Sequence, residues 1–97
     1  MKVIDESLLD EFRNTGRCEW CKKAVRRCEP HHVMCKGIGG GSRVDLRINL
    51  IALCHECHRR FHDGNLPRDL LIEVIADREG WLFEELKEKL LEIRYKI

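Results

Sequence analysis

No stretch of this 97-residue chain stays apolar long enough to span a bilayer. The opening MKVIDESLLDEF lacks the apolar core of a secretory signal. There are no repeats, no low-complexity tracts and no obvious interdomain linker. The glycines at 37, 39, 40 and 41 are not followed by Gly-Lys-Ser/Thr, which excludes a Walker phosphate loop. Nor is there a cluster of carboxylates of the kind a two-metal centre needs. These absences predict one small domain over 1–97, in the cytoplasm and off the membrane, where thiols stay reduced.

What is present is ordinary in bulk, with 43% hydrophobic and 36% charged residues, as expected of a globular domain. The net charge of +1 conceals a division. Between Arg17 and Arg60 there are ten Lys/Arg and four acids, a local balance of +6, while the flanks sum to −5. A basic middle between acidic flanks suits a polyanion-facing surface, or simply a dipolar one. Six cysteines are the stronger signal. Cys18/Cys21 and Cys54/Cys57 form two Cys-x-x-Cys pairs with 32 residues between them. In a reduced compartment two such pairs read as a structural tetrahedral zinc site; disulfides are the alternative. A metal also answers the thin core of so short a chain. Cys28 and Cys35 lack partners at ligand spacing and read as buried thiols.

Hydrophobic periodicity predicts a helix over 5–13, capped by Asp5, with Leu8, Leu9 and Phe12 on one face. A short strand is expected from about His31, then a glycine loop (36–43), then a second strand over 46–53 (LRINLIAL). A helix follows from about Glu56 to Asp63, and two more over 68–79 and 81–97, broken at Gly80. In the last of these, Leu82, Leu86, Leu90, Ile93 and Ile97 recur at helical spacing and read as core, or as a dimer seam.

Chemistry concentrates in the middle. His58 and His62 stand four apart on the second predicted helix, which stacks two imidazoles on one face. His31 and His32 are adjacent on a predicted strand, so their side chains point to opposite sides. His55 falls inside the second cysteine turn and reads as an exposed bystander.

The order C-x2-C … HH … N-L … L-C-x2-C-H-x3-H resembles the HNH endonuclease family. The match covers residues 18–62, and Asn49 falls nine residues before His58. CHECHRRFH is close to the family's closing segment, and the chain resembles the small, single-domain nicking-type enzymes of phages and bacteria. The resemblance implies an α+β fold with a ββα-metal (His-Me finger) core, flanked by an N-terminal helix and a helical tail over 68–97. It implies that His31, His58 and His62 hold one divalent ion and that His32 is the general base. It also implies that Asn49 hydrogen-bonds across the inter-strand loop to orient His32. A backbone carbonyl is expected at the second nitrogen of His32. Glu29 is expected to pair with an arginine on the scissile phosphate, with Arg43 first and Arg26 or Arg27 next. Many relatives carry Asp where this chain has His31, and an all-histidine set accepts Mn2+, Co2+, Ni2+ or Zn2+ as readily as Mg2+.

The resulting expectation is a metal-dependent nuclease that hydrolyses double-stranded DNA. The ion would polarise a non-bridging oxygen and stabilise the leaving 3′ oxygen, while an imidazole takes a proton from water. One active site per chain implies nicking by a monomer, or double-strand breaks by a weak homodimer. Two other readings share parts of the pattern. A non-catalytic zinc-ribbon DNA-binding module leaves the four histidines unexplained, and an RNase or toxin nuclease differs only in substrate.

Overall fold

The computed structural model describes residues 2–34 and 43–96. The expected loop glycines (37, 39, 40 and 41), Cys35 and Ile97 lie outside the described residues. The first helix, α1, runs Glu6–Arg13. It starts where the Asp5 carboxylate accepts the Leu8 N–H at 3.0 Å, with Glu6 in its first turn and Arg13 in its last. Both charges oppose the helix dipole at their own end. Leu9 and Phe12 are buried and Leu8 is half-buried.

Strands β1 (Glu29–His32) and β2 (Leu50–Leu53) pair antiparallel. Their register sets Glu29 against Leu53, Pro30 against Ala52, His31 against Ile51 and His32 against Leu50. The first strand therefore starts two residues earlier than expected. Its Pro30 is tolerated because a two-stranded sheet has only edges. The second strand is shorter than the predicted 46–53. Arg47–Asn49 instead coil into one 3-10 turn, because the Asn49 side chain is drawn to Met34 and Val44.

Alternation then divides the sheet. Leu50 and Ala52 pack with Leu9, Phe12 and Cys28 beneath α1. Ile51 and Leu53 face the main core, with Leu71, Ile72, Ile75, Leu86 and Leu90. Directly opposed residues share a face. Hence Glu29 and His31 look the way of Leu53 and Ile51, and His32 looks the way of Leu50.

Helix α2 spans His55–His62, close to its expected bounds. Helix α3 is Arg68–Glu79, and it stops at Gly80, whose φ of +77° favours glycine. Helix α4 is Phe83–Lys96, two residues later than expected. Leu82 thus precedes the helix and is 70% exposed, while Leu86, Leu90 and Ile93 are buried. Among the described residues the architecture is a small α+β domain with a two-stranded sheet and four α-helices. Among the described residues no helix is long and apolar enough to cross a membrane.

Candidate metal centres

The first cysteine pair sits on a miniature hairpin. Arg17 bridges Ala24, the Cys18 N–H donates to Lys23 O, and the Lys22 N–H donates to Cys18 O. Closing so tight a turn forces Lys22 to a φ of +66°, a left-handed conformation rare for a residue with a Cβ. The second pair follows β2 directly. Cys54 caps α2, its sulfur accepting the Cys57 N–H at 3.5 Å, and Cys57 lies in the first turn. The four sulfurs of Cys18, Cys21, Cys54 and Cys57 all fall within 4.8 Å of one another. Cys21 Sγ and Cys54 Sγ are 3.8 Å apart, the edge of a tetrahedron with metal–sulfur bonds of about 2.3 Å. All four are thiols, with no disulfide among the described cysteines.

Crowding these sulfurs separates their acidities. Burial opposes charge on Cys18, but N–H groups of Cys54, Cys21 and Trp20 bring its pKa down to about 7. Burial, and then the neighbouring thiols, push Cys57 well up; burial also raises Cys54. A cation of the zinc type would discharge that conflict by stabilising every thiolate. The donor set fits such an ion.

The second cluster joins β1 to α2. Donor atoms of His31, His58 and His62 also come within 4.8 Å of one another. His31 is 5% exposed, and its Nε2 is buried with no hydrogen-bond partner. Its ring lies 5.0 Å from His58, 5.8 Å from His62 and 4.3 Å from Phe61, centroid to centroid. Burial, then the charges of His58, His62, His32 and Arg68, press its pKa down to about 3. The ring therefore keeps a lone pair available well into acid.

Glu29 lies on the same face and orients the pair on α2. Its Oε1 is 2.7 Å from His58 Nδ1 and its Oε2 is 2.9 Å from His55 Nδ1. Burial works against the Glu29 charge, but bonds from His58 and His55 hold its pKa below the usual carboxylate range. An ionised carboxylate only accepts, so His58 donates from Nδ1 and presents a lone pair at Nε2. That Nε2 stands 3.1 Å from His62 Nε2. Two inward nitrogens and a buried, unsatisfied third suit a divalent cation of the type imidazole prefers. The pairing of Glu29 with an arginine, expected from the sequence, is replaced by these two imidazoles. His55 is exposed as expected, yet it is tied to the site through Glu29.

His32 points the other way. Its Nε2 is 2.7 Å from Asp45 Oδ1, so a carboxylate takes the place of the expected backbone carbonyl. Arg43 lies on that same carboxylate, with Nε 3.0 Å from each oxygen and Nη2 2.8 Å from Oδ2. Its Nη2 also reaches Glu6 Oε1 at 2.8 Å. A guanidinium bound so fully to two carboxylates is not poised to meet a phosphate, unlike the exposed Arg26 and Arg27. Asn49 is fully buried. Its Oδ1 accepts the Met34 N–H at 2.9 Å, and its Nδ2 donates to Met34 O and Val44 O at 3.1 and 3.0 Å. It clamps together the two ends of the segment between the strands.

Three contributors escaped the sequence: Asp45, Glu29 in its observed role, and Arg68. Arg68 lies over the Phe61 ring at 5.7 Å, and Phe61 flanks His31. Nothing in spacing marks Asp45 or Arg68. The Glu-x-His spacing of Glu29 and His31, which puts both on one strand face, was the available signal for Glu29. No protein-family model, no curated protein and no solved structure matches the chain.

Proposed function

We propose that the protein is a metal-dependent endonuclease of the HNH kind, with a ββα-metal core, that hydrolyses phosphodiester bonds of double-stranded DNA and nicks one strand per active site. The observation that supports this reading is the meeting of three histidine donor atoms from β1 and α2 within 4.8 Å, one of them buried and unpartnered. A divalent ion held by His31, His58 and His62 would neutralise charge on the phosphate and the departing oxygen. The chain supplies the rest. His32, on the other face of β1, accepts the proton of the attacking water, as an imidazole can near neutral pH. Asn49 holds together the loop ends between His32 and β2. Arg68, exposed beside Phe61, takes the phosphate-binding part expected of Arg43. Exposed Arg26, Arg27, Arg59 and Arg60 add a sequence-independent attraction for the DNA backbone. The four-cysteine site keeps a structural zinc at the start of α2.

The test is relaxation of supercoiled plasmid with Mg2+, Mn2+, Co2+, Ni2+ or Zn2+. The unmodified protein nicks, and His32→Ala slows nicking by about 10²-fold or more. Equal rates for both would reject His32 as the base. DNA binding without nicks, with one chelator-resistant zinc, would return the zinc-ribbon module. Cleavage confined to RNA would reassign the substrate.

A further inference from the structure

Asp45 is one of three buried polar or charged residues among those described, with His31 and Asn49. Its side chain is 0% exposed, and a carboxylate removed from water needs every lone pair engaged. Oδ2 accepts the Asp5 N–H at 2.8 Å and Arg43 Nη2 at 2.8 Å. Arg43 Nε is shared between both oxygens at 3.0 Å. Oδ1 then has room for one more donor, and His32 Nε2 fills it at 2.7 Å. Burial alone would raise the carboxyl's pKa; Arg43, the Asp5 N–H and His32 outweigh it and hold the group ionised, well below the usual carboxylate range.

An ionised carboxylate has nothing to donate. The proton in the His32–Asp45 bond therefore belongs to Nε2, and the lone pair of the neutral ring belongs to Nδ1. We propose that Asp45 is a positioning residue: its carboxylate fixes the tautomer and angle of His32, leaving Nδ1 as the atom that receives the proton from water. What His32 does rests on the nuclease reading above; the pairing itself does not.

The mount of this carboxylate lies far from the motif in sequence. Asp45 N–H donates to Val3 O, and Val3 N–H donates to Arg43 O, so residues 3–5 run beside 43–45 as a short parallel bridge. Glu6, in the first turn of α1, holds the outer nitrogen of Arg43. The first turn of α1 and the residues ahead of it thus carry the orienting group, outside the 18–62 match.

The experiment uses the zinc-loaded, 15N-labelled full chain with Mg2+ added. Two-bond 1H–15N correlations, assigned by their absence in His32→Ala, are expected to show His32 protonated at Nε2 and bare at Nδ1. In Asp45→Asn the side-chain amide can offer a donor to the ring instead. The tautomer is then expected to move toward Nδ1–H and nicking to fall by about 10²-fold or more, as loss of an orienting carboxylate does in other His–Asp pairs. Calorimetric Mn2+ affinity at the histidine cluster is expected to stay unchanged, which separates positioning from collapse of the site. Protonation at Nδ1 in the unmodified protein overturns the proposal, even if Asp45→Asn fails to fold. So does wild-type nicking by a folded Asp45→Asn. An unmodified protein with the Nε2–H tautomer and no nicking sinks the nuclease reading alone.

Discussion

Glu29 accepts from two rings at once, and only one of them belongs to the histidine cluster. Its effect on His58 is orientation: with Nδ1–H committed to a carboxylate, Nε2 is basic and faces inward. Replacing it by Gln keeps the size and removes the charge. Glu29→Gln is expected to weaken Mn2+ or Co2+ binding at the histidines by about 10- to 100-fold. Titration calorimetry measures this, and the content of tightly held zinc should not change. His31 makes the complementary statement about acidity. Its imidazole stays neutral in the fold down to about 3, whereas in an unfolded chain it takes a proton near ~6.5. Between those values the unfolded state binds the extra proton, so stability is present above the window and falls as pH drops through it. Thermal melts of protein without added divalent metal should show this slope from neutral pH toward pH 3. His31→Leu should flatten it. Acid release of zinc is common to both proteins and cancels in the comparison.

Helix α2 carries two chemistries on eight residues. Its first turn is bolted to the cysteine cluster, and His58 and His62 stand on the side that meets His31. Cys57→Ser is therefore expected to unfold the domain, since structural zinc ligation contributes on the order of 10 kcal/mol to folding. His58→Ala should keep helical circular dichroism and a near-native melt while losing nicking. The reverse ranking would undo the division into structural and functional sites. The same helix shows what was legible. Its bounds, and those of α1 and α3, follow from local signals: Asp5 as a cap, the Cys-x-x-Cys turn, Gly80 as a stop. The start of β2 and of α4 was not legible. Residues 46–48 alternate like a strand, but the Asn49 amide bonds Met34 and Val44, and a contact 15 residues back leaves no periodic trace. Leu82 fits the apolar stripe by spacing alone, and lies one residue short of α4.

At the scale of the molecule, His31 was joined to the histidine cluster by the resemblance to the HNH order, while the His58/His62 pair was legible from its simple i, i+4 spacing. The four-cysteine cluster was legible for the same reason. The groups that aim these residues were not. Asp45 reaches His32 across the inter-strand segment, and Arg43, expected beside Glu29 on the scissile phosphate, is bound instead by that buried acid. A charge count registers how many cations a segment has, not how many are already neutralised. The basic middle is correspondingly less basic in space than in sequence: Arg43 is paired with Asp45 and Glu6, and Arg47 with Glu11. Among the described residues, Arg26, Arg27, Arg59 and Arg60 face outward.

Arg78, in the last turn of α3, spends its guanidinium on Glu19 within the first cysteine turn, on Glu79, and on the carbonyls of Arg47 and Leu50 where the chain enters β2. It also lies over the Phe12 ring of α1 at 5.0 Å. One side chain from the helical tail thus joins both cysteine-bearing arms and the N-terminal helix. A graft of the 18–62 stretch into another scaffold would carry every histidine and cysteine and still arrive without its keystone. Any transplant of the two clusters has to bring Arg78, or an equivalent cation, along with it.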